Sequence, residues 1–181
     1  MQLTTLQAIT AFVAISLLAG CSNPIPNRDP TGEIFPTVAG ESLREERVEL
    51  PADLAGQTAV LLIGYEQDAQ FDIDRWLMGI LQAEVDALIL EVPTIPGLMA
   101  TMASGFIDDG MRGGIPVEDW SIVVTLYGSA AKPVAELTGT TNGQIARVLV
   151  LDAEGRVSWF DDKGYSPRKA IALAEFITEQ D

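Results

Sequence analysis

Apolar residues along this chain recur at two spacings, and each change of spacing marks an element. From Thr58 to Tyr65 the sequence TAVLLIGY is continuously apolar over the length of a strand, the pattern of one buried on both faces. After a polar break, Ile73, Trp76, Leu77, Ile80 and Leu81 fall at i, i+3, i+4, i+7 and i+8, which predicts a helix with one apolar stripe. Asp72 and Asp74 stand at its start, where a carboxylate can cap free N–H groups and face the positive end of the dipole. Ala87 to Val92 (ALILEV) reads as a second buried strand that Pro93 and Pro96 terminate. Leu98 to Ile107 (LMATMASGFI) predicts another helix, with Met99, Met102, Ala103 and Phe106 on one side, closed by Gly110, Gly113 and Gly114. Ser121 to Tyr127 makes a third strand, and Lys132 to Leu137 a single helical turn opening at Pro133. Ala146–Leu151 and Arg156–Phe160 form a β-hairpin around Asp152-Ala153-Glu154-Gly155. Ser166 as N-cap and Pro167 at the first helical position open a last helix that runs to about Glu179. The order β-α-β-α-β, hairpin, helix predicts one α/β domain with a mixed central sheet and helices on both faces.

The first twenty residues follow a different pattern. Ala8 to Gly20 is uncharged and as long as the apolar part of a secretory signal, too short to span a bilayer comfortably. It ends at Leu18-Ala19-Gly20-Cys21, which resembles the bacterial lipobox: Leu, two small residues, then a cysteine. The resemblance implies that Cys21 receives diacylglycerol on its sulfur, that residues 1–20 are a signal peptide removed before it, and that the new amino terminus is acylated. More than one acyl chain makes such an anchor stable. Met1 to Leu6 lack the Lys or Arg with which signal peptides usually open, and a plain transmembrane anchor or an ordinary secretory signal are the competing readings. Ser22 after the cysteine favours the outer over the inner membrane of a bacterial envelope, with the domain facing the periplasm. Residues 21–33 carry Pro24, Pro26 and Pro30 among polar residues and read as an extended tether, with the folded domain over 34–181.

Composition narrows the chemistry. Eleven Lys and Arg against 26 Asp and Glu give a net charge of -15, which repels nucleic acid and argues against a basic grip on anionic lipid. There is no histidine, so no imidazole can serve as base or zinc ligand, and the one cysteine allows no intramolecular disulfide and no CxxC pair. Carboxylates, Lys and Tyr remain for acid/base work, and no cofactor is implied.

The element order is that of the thioredoxin-like three-layer fold, and two segments extend the resemblance. Phe35-Pro36-Thr37-Val38-Ala39-Gly40-Glu41-Ser42-Leu43, followed by Val48 to Gly56, is similar to the approach to the first core strand in peroxiredoxin-like proteins. Val148-Leu149-Val150-Leu151-Asp152-Ala153-Glu154-Gly155-Arg156-Val157 resembles their hairpin. With the Trp76 helix and Arg156-Val157-Ser158-Trp159, these segments are most similar to the mitochondrial ATP synthase assembly factor family, thioredoxin-like chaperones.

Thioredoxins and peroxiredoxins carry the active cysteine where the first core strand meets a helix, because the helix N-terminus stabilises the thiolate. Here that turn is Tyr65-Glu66-Gln67-Asp68-Ala69-Gln70-Phe71-Asp72, without cysteine, and no Pro immediately precedes the strand at Ala146, where thioredoxins place a cis-proline beside the substrate. Glu66, Asp68, Asp72 and Asp74 stand there instead. They offer oxygen ligands for Ca²⁺ or Mg²⁺, an acidic face for a basic partner, or no more than helix capping and a solvated surface. Asp108-Asp109 and Asp161-Asp162 read as solvated loop charges, Trp76 and Trp159 as core, and Trp120, in a polar loop after Pro116, as the tryptophan open to exposure. The expectation is a non-enzymatic, lipid-anchored envelope domain that binds or assembles another envelope protein. The alternatives are a carboxylate- or metal-dependent enzyme using the acidic cluster and a small-ligand binding protein.

Overall fold

The computed structural model describes residues 24–180; residues 1–20, read above as a signal peptide, and Cys21 lie outside the described residues. Seven strands form one sheet: β1 (Val38–Ser42), β2 (Arg47–Leu50), β3 (Ala59–Gly64), β4 (Leu88–Ile95), β5 (Val124–Tyr127), β6 (Arg147–Leu151) and β7 (Val157–Asp161), in the order β2-β1-β5-β4-β3-β6-β7. β3, β4 and β5 run parallel, and β6 and β1 border them antiparallel. The helices are α1 (Gln70–Gln82), α2 (Leu98–Met102), α3 (Ser104–Gly114), α4 (Ala131–Thr138) and α5 (Pro167–Thr178).

β3 is buried at every position, as its unbroken apolar run requires, because both faces of the sheet are covered. On one face Leu61, Ile63, Leu149 and Leu151 pack with Val134 and Leu137 of α4 and with Phe35. On the other Val60, Leu62, Val148 and Val150 pack with Ile73, Trp76 and Ile80 of α1 and Leu173 and Ile177 of α5. Trp76 is fully buried, with Trp159 and Tyr165 meeting its ring edge-on at 6.1 and 5.7 Å.

Four elements differ from expectation. Pro93 does not end β4, which continues to Ile95. The Glu91 N–H points at β5, bonding the Ile122 carbonyl, so by the two-residue repeat the missing N–H of Pro93 falls on the β5 side. The pairing with β5 is accordingly interrupted between the Glu91–Val123 bridge and the Thr94–Leu126 pair. The helix expected over Leu98–Ile107 breaks at Ala103 (φ -105°, ψ 5°) and resumes through Gly110 and Gly113 to Gly114. α4 has two turns rather than one. The segment read as a tether lies against the body from Ile25 onward. Gly32 N–H and Phe35 N–H donate to the carbonyls of Val157 and Gly155, Val157 N–H returns a bond to Glu33, and Pro30 is buried. At the end of this strap Ile34 bridges Arg156 beside β7, and Phe35 is buried in the core on the α4 face.

Candidate functional site

Because β3, β4 and β5 are parallel, the loops after them all lie at one edge of the sheet, and antiparallel β6 begins at the same edge, Arg147 pairing with Ile63. This loop edge gathers Tyr65–Ala69 after β3, Pro96–Met102 after β4, Gly128–Ala130 after β5 and Gly139–Ala146 before β6. It is also where the strap enters. Ile25 N–H donates to Thr140 Oγ1 at 2.9 Å, the N–H groups of Thr140 and Thr141 return bonds to the Ile25 carbonyl, and Arg28 N–H reaches the Thr138 carbonyl. Gly139, at φ 78°, has no Cβ for a steric reason as well: one would collide with the backbone of Pro26 and Asn27.

Arg147 organises this half of the edge. Its side chain is fully buried and donates to the carbonyls of Thr141 (2.6 Å), Asn142 (3.3 Å) and Ile145 and to Asn27 Oδ1 of the strap (3.1 Å). Its guanidinium lies 5.6 Å from the centre of the Tyr65 ring. Burial draws its pKa down from the ordinary arginine value, against the pull of Tyr65 and Asp162. Tyr65 Oη shares a hydrogen with Thr138 Oγ1 at 2.7 Å, and burial pushes its pKa up to about 12. Asn27 Nδ2 also donates to Asp162 (2.9 Å). Burial acts to raise the Asp162 carboxyl, but Lys163, Asn27 and Arg147 together outweigh it and hold it below the usual carboxylate range. Sequence reasoning missed Arg147; the signal was an arginine opening an otherwise apolar strand.

The four acidic residues do not converge. Asp72 is 2% exposed and caps nothing in its own helix. Its carboxylate accepts from the N–H of Ala146 (3.2 Å) and of Tyr165 (2.9 Å), tying α1 to the loops flanking β6 and α5, and Arg75 meets it at 3.4 Å. The expected capping role is thus replaced by a long-range staple. Asp68 accepts from Gln144, Asp74 from Gln70, and Glu66 lies against Gly143. Among the described residues no three carboxylates or other ligating side chains are grouped to hold a metal ion. Glu91, which the sequence did not single out, sits on β4 near Gln70 and Asp74 with Oε1 buried and without a hydrogen-bond partner. Burial pushes its pKa up to about 7, with Gln70 acting to lower it and Asp74 and Asp119 to raise it.

The other half of the edge, beyond β4, is apolar and open. Leu98, Met99 and Met102 are 75–77% exposed and Phe106 is 85% exposed. α2 is seated on the end of β5, where Gly128 (φ 54°) leaves room for Thr101. Asp108 is not a solvated loop charge: it lies in α3, buried, and accepts from Tyr127 Oη at 2.7 Å, a contact that together with burial raises the tyrosine pKa. Trp120 is half-buried rather than exposed, its Nε1 donating to the Ile115 carbonyl.

No family model matches the chain, and no curated protein matches it. Solved structures do. The exposed lipoprotein thioredoxin Etrx1 of Streptococcus pneumoniae is 14% identical with a TM-score of 0.54, covering 80% of this chain and 99% of its own. A SCO1/SenC family lipoprotein from Bacillus anthracis is 11% identical with a TM-score of 0.55, covering 87% and 98%. Arabidopsis thaliana ScoI, solved with copper bound, is 14% identical with a TM-score of 0.55, covering 82% and 99%. The fold is thioredoxin-like. At the thiol position of that fold this chain has the turn Tyr65–Ala69, and the cis peptide bond among its described residues is Leu50–Pro51 rather than one at Ile145–Ala146.

Proposed function

We propose that this chain is a lipid-anchored cell-envelope protein whose thioredoxin-like domain binds or helps assemble another envelope protein without thiol chemistry. One observation carries the reading: the loop before β6, beside which thioredoxins hold substrate, is occupied by the chain's own residues Ile25–Arg28, pinned by Arg147 and Asn27. An edge filled in this way leaves recognition to the surfaces around it. The lipobox ending at Cys21 supports attachment to the membrane, and Ser22 favours the outer one. Etrx1 and the Bacillus anthracis protein, both called lipoproteins, show that the fold occurs on such anchors. Fold alone does not set function. Glu66, Asp68 and Asp74, exposed around the turn into α1, supply an acidic surface suited to a basic partner, their separate hydrogen-bond partners speaking against a shared cation, whereas Asp72 is buried and serves the fold.

Photo-crosslinking from position 66 or 68 in intact membranes, read by mass spectrometry, should recover one reproducible envelope protein, and a Glu66→Lys, Asp68→Lys pair should lose it. Recovery of bulk envelope proteins alone, unchanged by the charge reversal, would sink the binding role. Heat on titrating the full chain with Ca²⁺, Mg²⁺ or Mn²⁺ would favour a cation site instead.

A further inference from the structure

The strap and the open apolar ridge occupy the same edge of the sheet, and this fixes how an anchored molecule can stand. Only Ser22, Asn23 and Pro24 separate Cys21 from Ile25. Consecutive Cα atoms are at most 3.8 Å apart, so the Cys21 Cα lies within about 15 Å of the Cα of Ile25, the residue bonded to the Thr140–Thr141 loop. So short a leash holds the strap's end of the loop edge near a bilayer anchored through Cys21.

On that edge, α2 follows the end of β4, and adjacent strands are spaced about 4.8 Å apart, so the ridge stands only a few strand widths from the strap. Leu98, Met99, Met102 and Phe106 project from a run, Leu98 to Ile107, that contains no charged residue, and the exposed ring of Phe71 in the first turn of α1 lies at the same edge. A water-facing helix with no partner would expose polar side chains on this side.

We propose that the Leu98–Phe106 ridge inserts into the membrane surface that carries the Cys21 acyl chains, making the second attachment point that orients the domain. The proposal rests on the lipid anchor read from the lipobox. Its chemistry is apolar insertion, since a chain of net charge -15 gains nothing from anionic headgroups. Salt therefore strengthens the contact or leaves it unchanged, the opposite of a polybasic anchor.

The test uses the full lipidated chain, in which Cys21 is blocked and a new thiol can be labelled alone. Met102→Cys and, at the far end of α1, Leu81→Cys each replace an exposed apolar residue. With an environment-sensitive fluorophore, in protein-free phosphatidylcholine vesicles carrying shallow spin-labelled lipid, the label at 102 should be blue-shifted and quenched several-fold more than that at 81, at low and high salt alike. Equal quenching at both positions overturns the docking while leaving the anchor intact. A label at 102 that is shielded in native membranes but not in protein-free vesicles assigns the ridge to a protein and also overturns it. Mass spectrometry of the same sample separates the premises: a Cys21 without acyl groups overturns anchor and docking together.

Discussion

The two halves of the loop edge are built on opposite principles. Around β6 the edge is tied together by polar geometry, with a buried arginine donating to the carbonyls of Thr141, Asn142 and Ile145 and a strap threaded past Gly139. Beyond β4 the same edge shows side chains of Leu, Met and Phe to the outside with no partner among the described residues. A chain able to bury Trp76 completely has no need to leave Phe106 in water. The difference teaches that the first half is finished by the chain itself, whereas the second awaits something apolar from outside.

Arg147→Ala is the sharpest way to break this comparison. It strips donors from three loop carbonyls and from Asn27 of the strap and empties the buried guanidinium site, and should lower the unfolding free energy by about 3 kcal/mol or more, measured as a fall in urea midpoint. A loss under about 1 kcal/mol would mean that the strap holds without it. Glu91 lies at the boundary of the two halves, and its effect depends on pH. Between about pH 4.5 and 7 the folded chain retains a proton on Glu91 that the unfolded chain has released, so stability falls as pH rises through that window. Glu91→Gln should flatten that slope and raise stability at pH 8 by on the order of 2 kcal/mol, and an unchanged slope would remove Glu91 as its source. The smallest effect belongs to the ridge. Met99→Ser with Met102→Ser should shift the folding free energy by no more than about 0.5 kcal/mol, because the replaced side chains are already in water. A loss of more than about 2 kcal/mol would show that the ridge is core in the folded molecule.

Periodicity made β3, α1, the β6–β7 hairpin and α5 legible, since each writes its burial into local spacing. Ser166 does accept the Lys169 N–H as a cap should. Asp72 was legible as a helix-start residue and illegible as a staple, because its donors, Ala146 and Tyr165, are more than seventy residues away in sequence. Arg147 and Glu91 were hidden for the same reason: a charge within an apolar run says that something must be unusual, not which carbonyls or carboxylates will surround it. The strap was misjudged because prolines and polar residues describe a segment without helix or strand periodicity, and such a segment can equally be free or be held by a distant loop.

The sequence by itself determined the Leu18-Ala19-Gly20-Cys21 run that resembles a lipobox, the absence of histidine and of any second thiol, and the α/β order of the domain, all properties that reside in composition and local spacing. Only the tertiary structure decided that the thiol position faces a loop bonded to the chain's own strap, that the four acidic residues part company, and that the uncharged Leu98–Ile107 run stands exposed at the loop edge where the strap enters. Those facts depend on which strand ends share an edge, and parallel strands bring together loops that the sequence holds dozens of residues apart.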